Sequence, residues 1–360
     1  MLFIGDIASP DLLSSTSIRK VIEENQSIFS GERIICNFEG LIHNESKLNS
    51  NYPVLYNHPS ILKALSTEQE HILCLANNHV LDLPGQFETT VTLINKNGFK
   101  YCGAGKSIEE AERPIVFSEG TNRVALFNAC WDFLLYKHRN PSSGIYVAEL
   151  YEEGLLKKII KYKEEFSRSY ILVCVHWSLD LETLPFPMYR KFSQDLISAG
   201  ANLVIGTHSH CVQGGEKIKN GYVIYGLGNF LIPDGKYAGG NLKFPSLSTT
   251  ELAIEWNPGD DKVLCHWFET KKNLGKQHLK YTGSDNFETS NRLRNFTPYA
   301  GMSNAEYLKY YKKNRRKKIF IPVYRDYRQT SRNKFYTQIL KNRARIAHFL
   351  AKINIINWQN

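Results

Sequence analysis

Gly206-Thr207-His208-Ser209-His210 follows directly on the apolar run Leu203-Val204-Ile205. Two imidazoles spaced this closely on a turn that ends a strand can aim ring nitrogens into one site, where borderline cations such as Zn, Mn or Fe are held. Taken alone, the pair could equally be two histidines on a surface loop. Four further apolar runs end the same way. Val173-Cys174-Val175 leads into His176-Trp177, and Leu73-Cys74-Leu75-Ala76 into Asn77-Asn78-His79, with Asp82 close behind. Cys36 precedes Asn37-Phe38-Glu39-Gly40, and Ile4-Gly5 precedes Asp6. An asparagine carbonyl can ligate a cation, and a neighbouring histidine can move a proton without being a ligand itself. Asp180 and Glu182 are read as solvated loop acids.

Elements must bring these ends together. Short runs rich in Val, Ile, Leu and Cys alternate with longer amphipathic segments, the pattern of strands separated by helices. Strands are expected at 2–4, 33–37, 71–76, 123–129, 170–176, 203–207 and 222–225, with helices at 61–65, 86–97, 108–111, 155–166 and 188–199. Segments 249–255 and 262–270 flank Asn257-Pro258-Gly259-Asp260, which reads as a hairpin turn. In open α/β sheets functional groups gather where strands end, so this reading makes the polar clusters one site.

The formal net charge of +10 is unevenly distributed. Residues 301–360 hold fifteen Lys and Arg against Glu306 and Asp326, so the other 300 residues are slightly acidic. The division expected is a domain over 1–275 and a basic, mainly helical C-terminal extension over 276–360, with a dense run at 312–318 and a helical pattern over 333–353. That extension is a candidate dock for an anionic membrane surface or a synthase complex; a solvated or packed helix is the alternative, and nucleic acid the least favoured. The seven cysteines lie without C-x-x-C spacing and several sit in apolar runs, as reduced buried thiols do. No signal-like start and no membrane-length apolar run is found, so the expected location is cytoplasmic, peripheral at the inner membrane face if the extension docks there.

The ordered set Gly5-Asp6, Asn37-Phe38-Glu39-Gly40, Ala76-Asn77-Asn78-His79 with Asp82, His176-Trp177, Gly206-x-His208-x-His210 and Tyr225-Gly226-Leu227-Gly228-Asn229-Phe230 resembles the CapA-type capsule and poly-γ-glutamate biosynthesis family, a branch of the calcineurin-like metallophosphoesterase superfamily. The resemblance implies an α/β fold, with two packed β-sheets flanked by helices in an αββα sandwich. It also implies two divalent ions (Mn, Fe or Zn): Asp6 and His210 on one, Asn78, His176 and His208 on the other, and Glu39 near or between them. His79 would be the proton donor, held by Asp82, with Asn37, Asn77 and Asn229 contacting substrate or orienting ligands. The superfamily's usual first motif, Asp-x-His, is here Asp6-Ile7-Ala8, so one site needs a substitute ligand such as Glu39 or Asn37. The implied activity is phosphoester-type hydrolysis in capsule, polysaccharide or poly-γ-glutamate production, on an anionic polymer or a phosphorylated small molecule. The alternatives are a non-catalytic accessory protein holding polymer in a metal-bearing cleft and, less favoured, a nuclease or nucleotide phosphoesterase.

Overall fold

Successive residues of a strand point to opposite faces, and in the central strands of this chain both faces are apolar. In the computed structural model, which describes residues 1–44, 53–136, 143–237, 240–260, 262–273, 276–317 and 320–352, each of those faces feeds a different core. Leu2, Ile4, Ile34, Cys36 and Leu73 pack outward against helices Leu12–Glu24, Ser60–Leu65 and Phe87–Lys96. Phe3, Ile35, Ile72 and Cys74 face the other way, onto Leu126, Leu172, Cys174, Leu203, Ile205 and Ile224 of a second sheet. The opposite face of that second sheet, with Ile171, Val173, Val175 and Val204, is covered by helices Glu152–Glu165 and Pro187–Ser198. The result is four layers: helices, sheet, sheet, helices.

From edge to edge the larger sheet runs Lys276–Asn286, Leu264–Asn273, Thr250–Glu255, Leu2–Ile7, Ile34–Phe38, Ile72–Cys74, Lys100–Cys102, with Asn229–Leu231 paired as well to Leu2–Ile7. The smaller runs Val212–Ile218, Gly221–Leu227, Leu203–Thr207, Tyr170–His176, Asn122–Cys130, Ile115–Glu119. The strands carrying the candidate residues pair in parallel within each sheet, so their C-terminal ends share one edge. Gly228 is where the chain leaves the smaller sheet for the larger: its φ is +78°, and a Cβ on Gly5 would lie 2.0 Å from the Gly228 carbonyl oxygen. Only glycine allows that approach, which sets Asn229 beside Asp6 in register.

All the strands expected from sequence are present, as is the hairpin of Thr250–Glu255 with Leu264–Asn273. The helix Leu12–Glu24 was not anticipated; its serine-rich start hides the pattern, but Asp11 caps it by accepting from Ser14 N–H at 2.7 Å. The sheet also continues past the expected boundary, since Lys276–Asn286 pairs with Leu264–Asn273 along its length. Beyond it Tyr299, Tyr307, Tyr311, Tyr324 and Tyr327 are buried in the same core as Trp177 and Tyr189. Glu216 Oε2 and Oε1 accept from Nε and Nη2 of Arg190, each at 2.7 Å, and that guanidinium lies 5.0 Å from the Tyr307 ring centre. Arg190 is therefore a buried anchor of its helix. Residue 275, Lys318, Ile353 and the end of the chain from 353 to 360 lie outside the described residues. All seven cysteines are buried and free.

Candidate metal centre

At the shared edge of the two sheets the expected residues come together. Asp6 is fully buried; its Oδ1 accepts from Asn37 Nδ2 at 2.7 Å and its Oδ2 from the backbone N–H of His208 at 3.2 Å. The same Oδ2 is 3.4 Å from Nδ1 of His210, which also lies 2.8 Å from Asn229 Oδ1. On the other side, His176 Nε2 is 3.0 Å from Asn78 Oδ1 and its Nδ1 is 3.0 Å from Thr207 Oγ1. The ring of His208 stands between the two groups, with centroids 4.7 Å from His176 and 5.8 Å from His210.

The loops that make this possible are strained. His208 has φ +86° and His210 φ +53°, and Ser178 and Leu181 in the neighbouring loop are also left-handed. Non-glycine residues in this region cost free energy and cluster where a site imposes them. Leu181 N–H donates to Ser209 O at 2.8 Å, which ties the two loops together.

Glu39 occupies the centre. It is fully buried, neither carboxylate oxygen has a hydrogen-bond partner, and the nearest imidazole nitrogens are His176 Nε2 at 3.8 Å and His79 Nε2 at 3.9 Å. Neither ring nitrogen of His208 is hydrogen-bonded, although Nε2 passes 3.2 Å from Asp180 Oδ1 without hydrogen-bond alignment. Glu39, His208 and His210 offer ligand atoms all within 4.8 Å of one another. Buried polar atoms without partners are rare and call for an explanation. His79 lies at the mouth, its Nδ1–H donating to Asp82 Oδ2 at 2.7 Å, and Asp82 also accepts from Leu55 N–H at 3.2 Å.

The electrostatics reflect the crowding of acids and imidazoles in a dry place. Burial, then the Asp6 charge, pushes Glu39 up to about 7. Burial holds His176 well below the usual imidazole range and His208 down to about 4, so both are neutral. Burial works against charge on His210 too, but Glu39, Asp6 and Asp180 outweigh it and push the ring up to about 10. His79 is likewise raised against the effect of burial, chiefly by Asp82 and then Glu39.

Three expected second-rank residues have distinct places. Asn37 is held at both ends, donating to Asp6 at 2.7 Å and accepting from Asn77 Nδ2 at 3.3 Å. Asn77 caps the turn Asn78–Leu81, accepting from Val80 N–H at 3.1 Å while donating to Phe38 O at 2.9 Å. Asn229 faces His210. Sequence reasoning missed Thr207, which meets His176 only because the two are paired in adjacent strands. It also misjudged Asp180 and Glu182. Asp180, half-exposed, touches His208 and stands 4.0 Å from His210 Nε2, whereas Glu182 is fully buried.

Residues 1–234 match the model of a family described as "Bacterial capsule synthesis protein PGA_cap". The chain belongs to that family. Among its relatives, the capsule biosynthesis protein CapA of Bacillus anthracis is 26% identical over 180 residues, 48% of this chain and 43% of the relative. The PGA biosynthesis protein CapA of Bacillus subtilis is 23% identical over 245 residues, 65% of this chain and 63% of the relative. The PGA_cap chain thus spans about half the length of these relatives. Similar solved structures include the Haemophilus influenzae NAD nucleotidase, at 8% identity and TM-score 0.37 over 76% of this chain and 44% of that one. The Thermus thermophilus sulfate thiohydrolase SoxB in complex with glycerol matches at 10% identity and TM-score 0.36, over 80% and 46%. The PGA_cap chain folds as an αββα sandwich. Among the described residues no helix is long and apolar enough to cross a membrane.

Proposed function

We propose that this PGA_cap chain is a metal-dependent hydrolase of phosphoester type, acting on an anionic polymer or a phosphorylated small molecule in capsule, polysaccharide or poly-γ-glutamate production. The observation that carries this reading is Glu39, a buried carboxylate with both oxygens unpartnered and neutral His208 beside it. Burying a carboxylate without a partner is costly, and a cation removes the cost. The spacing fits as well. Two donors about 2.1 Å from one ion stand roughly 3.0 to 3.4 Å apart at octahedral or tetrahedral angles. Asn78 Oδ1 and His176 Nε2 are 3.0 Å apart. Asn78, His176 and His208 would hold one divalent ion, Asp6 and His210 another, of Mn, Fe or Zn type, with Glu39 between. Glu39, with both oxygens unpartnered, can stand in for the ligand missing at Ala8, and Asp180 offers a further oxygen at the mouth.

Such ions would supply Lewis-acid polarisation of the scissile group and a lowered pKa for water. The chain's own residues do the rest. His79, whose pKa Asp82 raises against burial, presents Nε2 toward the cluster and donates its proton to the leaving oxygen. The His208 N–H and Asn37 fix Asp6, while Thr207 and Asn229 orient His176 and His210. The exposed face of Thr330–Lys352, with Phe335 and Ile346 among Arg332, Lys334, Arg343 and Arg345, is the proposed dock for an anionic membrane surface.

The test is metal content by elemental analysis together with turnover of phosphoester, sugar-phosphate and γ-glutamyl substrates, in the native chain and in His79→Ala. Turnover lost with metal retained is expected; undiminished turnover in the variant would sink the assignment of His79. The buried Ala8 in place of the superfamily's histidine favours a second reading, a non-catalytic accessory that holds polymer. Tight polymer binding by the metal-loaded chain with no hydrolysis would establish it.

A further inference from the structure

Glu182 is fully buried one turn of loop beyond Asp180, yet it takes no part in the histidine cluster. Its Oε1 accepts from the backbone N–H groups of Thr183 at 3.1 Å, Leu184 at 3.3 Å and Arg316 at 3.1 Å, and its Oε2 from that of Lys317 at 2.9 Å. Gln213 Nε2 in turn donates to the Glu182 carbonyl at 2.7 Å. A buried acid is thus spent on pinning the backbone of the most basic stretch of the chain, just after helix Asn304–Asn314, against the loop that carries Asp180. Glu182 binds the amides of Arg316 and Lys317 and not their cationic heads. Arg316 is exposed, with Nη1 3.4 Å from Leu181 O, and Lys317 is half-buried and makes no ion pair among the described residues. Asp180 thus lies between the cluster, 3.2 Å from His208 Nε2, and the basic stretch, whose Arg316 reaches the carbonyl of the neighbouring Leu181.

We infer that Arg316 and Lys317 form an anion subsite on the rim of the cluster, which takes a second negatively charged group, phosphate or carboxylate, of a substrate whose reacting group lies over Glu39 and the histidines. The inference rests on the hydrolase reading for the place of the reacting group, but the subsite itself is built from Glu182, Asp180 and the pinned backbone. It makes the C-terminal region part of the substrate site and selects substrates with charges on successive units over those with one.

The experiment is calorimetric titration of the full chain, metal-loaded and chelator-treated, with orthophosphate, pyrophosphate and γ-glutamyl-glutamate. The variants are Lys317→Ala, Arg316→Ala with Lys317→Ala, and the conservative Lys317→Gln in case the double variant misfolds. Whichever two-charge probe the native chain prefers identifies the phosphate or carboxylate source, and its affinity is expected to fall about tenfold in Lys317→Ala while orthophosphate changes less than twofold. Equal losses for all three probes, no loss, or no preference for a two-charge probe would each overturn the subsite. Native chain that binds no metal, with its preferred two-charge probe still weakened by Lys317→Ala, would sink the hydrolase reading and leave the subsite standing. Metal bound and affinity for the preferred two-charge probe unmoved in Lys317→Ala would do the reverse.

Discussion

Replacing Glu39 with glutamine should make the metal-free chain more stable and the metal-loaded chain less responsive. In the folded chain the carboxyl is raised from 4.5 to about 7 by burial and by Asp6. A group whose pKa rises on folding binds more protons folded than unfolded between those values, so stability falls as pH climbs from 4.5 through 7 and stays reduced above it. At roughly 1.4 kcal/mol for each pH unit, the ionised carboxylate costs about 3 kcal/mol at pH 8. Glu39→Gln removes that cost, so at pH 8 in chelator the variant should exceed the native chain by about 2 to 3 kcal/mol, with the gap closing near pH 5. Metal reverses the order. A site saturated at about a thousand times its Kd adds roughly 4 kcal/mol, which the variant forfeits if Glu39 holds the ions. Loading should also release protons from Glu39 and from His210, whose ring sits at about 10 in the metal-free chain. Urea unfolding at pH 5 and 8, with chelator and with Mn or Zn, reads all of this. A metal-free variant no more stable than the native chain at pH 8, or an equal gain from metal in both, would refute the reasoning.

Asp180→Asn should weaken metal binding by about ten- to a hundredfold, since it removes the carboxylate charge whose oxygen lies 3.2 Å from His208 Nε2; unchanged affinity in a metal titration would remove Asp180 from the site. His71, buried and accepting the Ile34 N–H at 3.0 Å through Nδ1, is pushed down to about 4, mainly by burial. Its unfolded form therefore binds the extra proton between pH 6.5 and 4, and acid across that window costs the fold up to about 3 kcal/mol. His71→Asn keeps an acceptor but cannot titrate, so its stability difference from the native chain should shift by that amount between pH 7 and 4, and a constant difference would contradict it. Arg190→Met leaves the Glu216 carboxylate buried without its cation and should cost about 3 to 5 kcal/mol in urea unfolding; a change within about 0.5 kcal/mol would show that the pair is not an anchor.

The candidate metal centre was largely legible in the chain because each ligand type closes an apolar run. Parallel strands of that kind deliver the residues at their C-terminal ends to one edge, so Asp6, Glu39, Asn78, His176, His208 and His210 could be grouped before any distance was known. The local spacing of His79 and Asp82 sets their pairing, since three residues make one turn of the short helix they share. Contacts between segments far apart in sequence could not be read in the same way. Asp180 and Glu182 look alike in a polar loop, and only the fold turns one toward His208 and buries the other beneath Arg316 and Lys317. The basic stretch reads as a separate extension because charge counts carry no position. Buried tyrosines and the Glu182 carboxylate are what bring it to the rim. The sequence by itself determined the kinds of donor and the strands that carry them, because alternation and strand ends are local properties. Only the tertiary structure decided which donors lie within reach of one another and which charges border them, because burial and Coulomb interactions depend on distance in space and not along the chain.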